Sequence, residues 1–165
     1  MFKVDFNIQS MKILRIVSFL AVAAVLSTYM GCKPKGSDPE PLENVQFDKL
    51  AKTWKINTVT FNDTDRTAEY TGFQLALGGT KGAPPFSYTT TSRPAQSPWK
   101  ASGTWEFGSS VGDQIIRDKG VSADELAIEY SVTESTLQLK FTFLREPYDA
   151  RTEDVKGPWI FNFTL

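Results

Sequence analysis

The sequence predicts an all-β domain, an eight-stranded antiparallel up-and-down barrel, with a β-sandwich as the alternative. Three observations carry this expectation. Apolar and polar residues alternate with period two through most of the chain after Phe47. Glycine and proline clusters interrupt the alternation at regular intervals. Eight alternating segments fit between Phe47 and Leu165, with connections short enough for sequential neighbours to pair. The 165 residues suit a single domain.

The domain opens at Phe47. Phe47, Leu50 and Ala51 are spaced for one or two helical turns, with Asp48 near their start. In the first strand Trp54 and Ile56 share a face, whereas Val59 and Phe61 fall on the opposite phase. A bulge near Asn57 or Thr58 would reconcile them and bend the strand. The second strand carries Phe73, Leu75 and Leu77 on one face, the third Phe86, Tyr88 and Thr90, and the fourth Trp105 and Phe107. Residues 113–117 form a short fifth strand, whose adjacent Ile115 and Ile116 leave its phase open and with it the side to which Arg117 points. The last three strands are the clearest. Leu126, Ile128, Tyr130 and Val132 alternate along the sixth, Leu137, Leu139, Phe141 and Phe143 along the seventh, and Trp159, Phe161, Phe163 and Leu165 along the eighth. Thr133, Glu134 and Ser135 predict a tight hairpin between the sixth and seventh. Turns are marked at Gly78-Gly79, at Gly82 with Pro84-Pro85, from Pro94 to Pro98, at Gly108, Gly112 and Gly120, and at Gly157-Pro158.

Ahead of the domain the composition changes. Lys12 and Arg15 precede an apolar run over residues 16–26, and small residues Ser27, Thr28 and Gly31 lead to Cys32. This is the layout of a secretory signal, better read from Met11 than from Met1. It resembles a bacterial lipoprotein signal spanning residues 1–31. That resemblance implies acylation of Cys32 and a lipid-anchored protein of the cell envelope, expected at the outer membrane. Residues 32–46, with three prolines and many charges, predict a flexible tether. Residues 47–165 are then the barrel domain.

The segment Phe-Asp-Lys-Leu-Ala-Lys-Thr-Trp-Lys-Ile ending at Ile56, the middle segment 102–107 and the closing Trp159-Ile160-Phe161 resemble small lipocalin-like lipoproteins of Bacteroidetes. In that group a tryptophan near the start of the first strand, here Trp54, plugs one end of the barrel. Lys52 stands where lipocalins usually carry glycine, so the likeness is to the looser lipocalin-like group.

Composition limits the chemistry. The chain has no histidine and one cysteine. This excludes a histidine-based triad, the commonest zinc sites and an internal disulfide. A net charge of −1 gives no electrostatic reason to bind nucleic acid. No serine–lysine motif stands out, so neither enzymatic activity nor a cofactor is expected. Asp63, Asp65, Thr67 and Glu69 alternate as calcium ligands do, but without a mid-loop glycine they read better as a solvated hairpin loop.

The leading expectation is non-catalytic binding of a small apolar ligand in the barrel, lined by Trp54, Phe73, Tyr88, Trp105, Tyr130, Phe141 and Trp159. Almost no charge alternates inward, so the ligand is expected to be neutral. The competing expectation is a filled barrel that contacts envelope proteins or glycan through its loops. Trp99, Tyr70 and Tyr148 are the loop aromatics expected for such contacts, with capping of the barrel end as the other reading of Trp99.

Overall fold

The computed structural model describes residues 39–144 and 155–165. Cys32, most of the expected tether, and Tyr148 lie outside them. Helix α1 (Leu42–Leu50) leads into β1 (Thr53–Phe61). A two-residue β2 (Thr64–Asp65) and a 3-10 turn (Thr67–Tyr70) follow. Then come β3 (Gln74–Gly78), β4 (Phe86–Thr91), β5 (Ser102–Phe107) and β6 (Gln114–Arg117). The last strands are β7 (Leu126–Val132), β8 (Thr136–Phe143) and β9 (Gly157–Thr164).

Each long strand pairs antiparallel with the next, and β1 closes the ring on β9. The result is a closed eight-stranded up-and-down barrel, with β2 as a short spur on β1. Closure rules out the sandwich and leaves the eight strands without a free flank. It works because β1 divides its hydrogen bonds. Thr53 to Lys55 face β3, while Lys55 to Phe61 face β9. The bulge expected near Asn57 or Thr58 lies between Ile56 and Thr58, where the register to β9 shifts. The extra residue turns the face of the strand, so Trp54 and Val59 are both fully buried. Beyond β1 the chain reverses through Asn62 and Asp63, both at positive φ (47° and 59°), as a two-residue hairpin turn requires.

The core matches the alternation closely. Of the alternating apolar side chains, Ile56, Phe61, Phe107, Leu126 and Val132 are partly buried, Leu165 at the end of the last strand is exposed, and the rest are buried. The α1 side of the molecule forms the lower end. Phe47 of α1 packs on Phe86 and Trp105, with ring centroids at 4.7 and 6.1 Å. The Leu50 carbonyl accepts the Trp54 indole N–H at 2.9 Å. Lys81, from the β3–β4 connection, reaches both Asp48 and Glu40 at 2.6 Å. Those hydrogen bonds, Asp48 first, raise the pKa of its ammonium.

Helix α1 also corrects the expected boundary at residue 46. Residues 42–46 are helical rather than part of a tether. Proline-rich composition masked this, because the last proline, Pro41, sits just ahead of the helix, where its fixed φ and missing N–H cost nothing.

Candidate functional site

The upper end of the barrel, opposite α1, carries the β1–β3 excursion and the connections 92–101 and 118–125. Two loop aromatics there are buried: Tyr70, expected on the surface, and Trp99, whose burial favours the capping reading over surface contact. Tyr70 ends the 3-10 turn and lies over Phe73, Trp159 and Phe161, at 5.5, 6.1 and 5.2 Å. It fills the gap left because β3 pairs only with the first residues of β1. Burial raises the pKa of its phenol.

Trp99 is only 1% exposed. It descends from the 92–101 connection into the lumen. There it meets Tyr88 of β4 at 5.7 Å, Phe141 of β8 at 5.8 Å and Phe161 of β9 at 6.0 Å, each ring edge to face. In strand order β4 and β8 stand on opposite sides of the ring. One loop side chain therefore spans the lumen. Alternation carries no information about such a residue, because it belongs to no strand.

The phase of β6 is settled by burial. Ile115 and Arg117 face inward, and Arg117 is 1% exposed. The expectation of an interior almost free of charge is thereby corrected: Arg117 and Asp118 are both buried. The Arg117 Nη1 donates to the Pro98 carbonyl at 2.8 Å. Its guanidinium lies 5.2 Å from the Trp99 ring centroid and 6.0 Å from that of Phe143. Cations favour such positions over a ring face.

Asp118 follows directly, at positive φ (51°). Its Oδ1 accepts the Thr104 amide at 2.9 Å, and its own amide donates to the Thr104 carbonyl at 2.8 Å. The carboxylate thus continues the β5–β6 ladder past its last backbone pair, Trp105 with Arg117. Oδ2 accepts the Tyr88 hydroxyl at 3.2 Å and faces Lys100 Nζ at 3.6 Å and Arg117 Nε at 3.7 Å. Lys100 in turn reaches Asp124 at 3.0 Å. The signal in the sequence for this cluster is Arg117 sharing a strand face with Ile115, which an adjacent isoleucine obscured.

Compared with known proteins, the chain matches no family model, no curated protein and no solved structure. The site is therefore read from its geometry.

All seven side chains expected to line a ligand site are buried, but they do not converge. Phe141 and Trp159 stack on Phe161 at 5.8 and 5.6 Å, and Phe73 lies 6.1 Å from it. Tyr88 joins that group through Trp99. Trp105 belongs to the lower cluster with Phe47 and Phe86, its indole bonded to the Ser87 carbonyl at 3.1 Å. Trp54 is held by Leu50 at the same end. Tyr130 donates its hydroxyl to the Val111 carbonyl. Burial, and secondarily the charge of Asp113, push its pKa up to about 12.

The acidic loop takes up its own oxygens. Asp65 Oδ1 accepts the Thr67 amide at 2.8 Å, and hydrogen bonds from Thr67 lower the pKa of its carboxyl. Glu69 pairs with Arg66 at 2.8 Å. Among the described residues no group of three or more acidic or cysteine side chains is placed to hold a metal. On the outside of the barrel, a hollow of about 310 Å³ lies over β6 to β8, lined by residues that include Gln114, Glu129 and Lys140.

Proposed function

We propose that this chain is a lipid-anchored protein of the bacterial cell envelope, attached at the outer membrane through Cys32, whose barrel binds a small apolar molecule without catalysing a reaction. The reading places it with the lipocalin-like lipoproteins of Bacteroidetes. The signal-like segment ending at Cys32 and the closed up-and-down barrel support it.

One observation carries the binding half of the proposal. Strand side chains leave the centre of the upper lumen to Trp99, which is borrowed from a connection. The strands alone enclose room for an indole among Tyr88, Phe141, Phe161 and Arg117. A second reading, a solid barrel that presents its loops to an envelope protein or glycan, is favoured by a different observation. Below Trp99, Phe161 is stacked between Phe141, Trp159 and Phe163, at 5.8, 5.6 and 6.1 Å.

Native mass spectrometry of the membrane-extracted protein, after incubation with a lipid extract of its own envelope, separates the two. A discrete added mass that is lost on denaturation supports the binding reading. A bare mass with no displacement of an apolar fluorescent probe overturns it in favour of the solid barrel.

A further inference from the structure

The four tryptophans are not equivalent. Trp54, Trp105 and Trp159 each donate the indole N–H to a backbone carbonyl, those of Leu50, Ser87 and Val155, at 2.9, 3.1 and 2.9 Å. The Trp99 N–H is buried and finds no acceptor among the described residues. A buried donor left without a protein acceptor is unfavourable. Trp99 therefore fits its seat by shape and ring contact but not by hydrogen bonding.

The loop that carries Trp99 is held by polar contacts. Pro98 accepts from Arg117 at 2.8 Å, and Lys100 pairs with Asp118 and Asp124 at 3.6 and 3.0 Å. Ser97 Oγ accepts the Trp99 amide at 3.2 Å. The Ser97 contact travels with the loop, and water can substitute for the other partners when the loop lifts, whereas the β4–β5 ladder, which Thr90 extends to the Lys100 and Ala101 carbonyls, would stay intact.

We propose that the 92–101 connection is a displaceable plug, and that the seat of Trp99 accepts a neutral, flat, conjugated molecule that presents a carbonyl oxygen to Arg117. The chemistry follows from what the plug itself presents. Its ring takes three edge-to-face contacts and one guanidinium. Its Pro98 carbonyl, a neutral acceptor, takes the Arg117 proton. Within the cluster the cations Arg117 and Lys100 face the carboxylates Asp118 and Asp124, so an occupant needs no charge of its own. Asp118 moreover stands 3.7 Å from the Arg117 Nε and disfavours a second anion there. The inference rests on the reading of the barrel as a binding module and adds the class of ligand and the gate.

The test uses the full mature protein with 1,4-naphthoquinone as the neutral probe and 1-naphthoate as its charged counterpart. Binding is measured by equilibrium dialysis for wild type and Trp99→Ala, with Trp99→Leu as the variant to read if the alanine form does not fold. The quinone is expected to bind the variant about tenfold or more tightly than wild type, because no plug must first be displaced. It is also expected to bind better than the naphthoate. In wild type, saturating quinone is expected to speed hydrogen exchange of the amides in 92–101 but not of those in β8 and β9. Equal quinone affinity in wild type and variant, preference for the naphthoate, or unchanged exchange in 92–101 would each overturn the plug. If the variant binds neither probe while wild type still gains mass from the lipid extract, this inference falls and the binding reading stands. If neither occurs, both fall.

Discussion

Gly103 lies so close beneath Asp118 that a Cβ at this position would meet the carboxylate Oδ1 at 2.2 Å and the Tyr88 ring at 2.6 Å. Neither neighbour is free to give way. Asp118 is fixed by the Thr104 amide, and Tyr88 by its bond to Asp118 and its contact with Trp99. Gly103→Ala is therefore expected to destabilise the barrel by roughly 1–3 kcal/mol, the usual cost of overpacking, with some of the effect arising from the displaced carboxylate. Urea denaturation of the variant checks this, and an unchanged midpoint would show that the upper β5–β6 seam is plastic.

Trp105 sits between α1 and the lower barrel, against Phe47, Phe86 and Phe107. Truncating it to alanine removes three ring contacts and a hydrogen bond at once. The expected loss is about 3–5 kcal/mol. Because Trp105 lies outside the Trp99 cluster, the loss should be the same with and without any ligand that enters the upper lumen. Thermal melts in both conditions decide the point.

At the β1–β2 hairpin both turn residues occupy the left-handed region, and neither is glycine. Asp63→Gly should relieve the conformational cost at the second position, offset in part by the added freedom of the unfolded chain. A net gain of about 1 kcal/mol is expected. A loss of stability on chemical denaturation would mean that the Asp63 side chain contributes more than its backbone strain costs.

Tyr130 sets an alkaline limit. Its folded pKa of about 12 lies above the ordinary 10.0, so the native state holds the phenolic proton more tightly than the unfolded chain. The stabilisation is complete below pH 10 and disappears as the pH rises towards 12. Stability measured across this range should fall in wild type and fall less steeply in Tyr130→Phe. That variant should also lose about 1 kcal/mol at neutral pH, from the bond to Val111. An identical alkaline slope in the two proteins would assign the limit to another group, Tyr70 being the next to examine.

The anchor has its own test. Cys32→Ser removes the thiol that acylation requires, and the protein is expected to move from the membrane fraction to the soluble one. Retention of the variant in washed membranes would refute lipid attachment.

What the sequence made legible follows from the period of a strand. Where a residue lies on a strand with one wet face, alternation assigns it, and this placed the rings of β8 and β9 and located the bulge between Ile56 and Thr58. Three features escaped for physical reasons. Trp99 and Tyr70 enter the core from connections, where no period applies. Arg117 followed two adjacent isoleucines, so both phases were open, and the inward one places a charge beside rings that burial alone would disfavour. Asp118 pairs through a carboxylate where a backbone partner would ordinarily stand, and a pattern of apolar residues cannot report a polar group acting as main chain. Each of these lies at the upper end, where the candidate site is.

The seam between β1 and β9 has a consequence for biosynthesis. Asn162 bonds to Thr58 at 2.8 Å across 104 residues of chain. The row continues through Gln138, whose amide donates to Asn162 at 2.7 Å. Every other neighbouring pair of barrel strands can form as the ribosome delivers it, but this one must wait for the last strand. Until then β1 and β8 each present an unpaired flank, and the chain is an open sheet that has not yet become a barrel. Closure of the seam therefore removes both flanks in a single step, at the end of synthesis rather than along it.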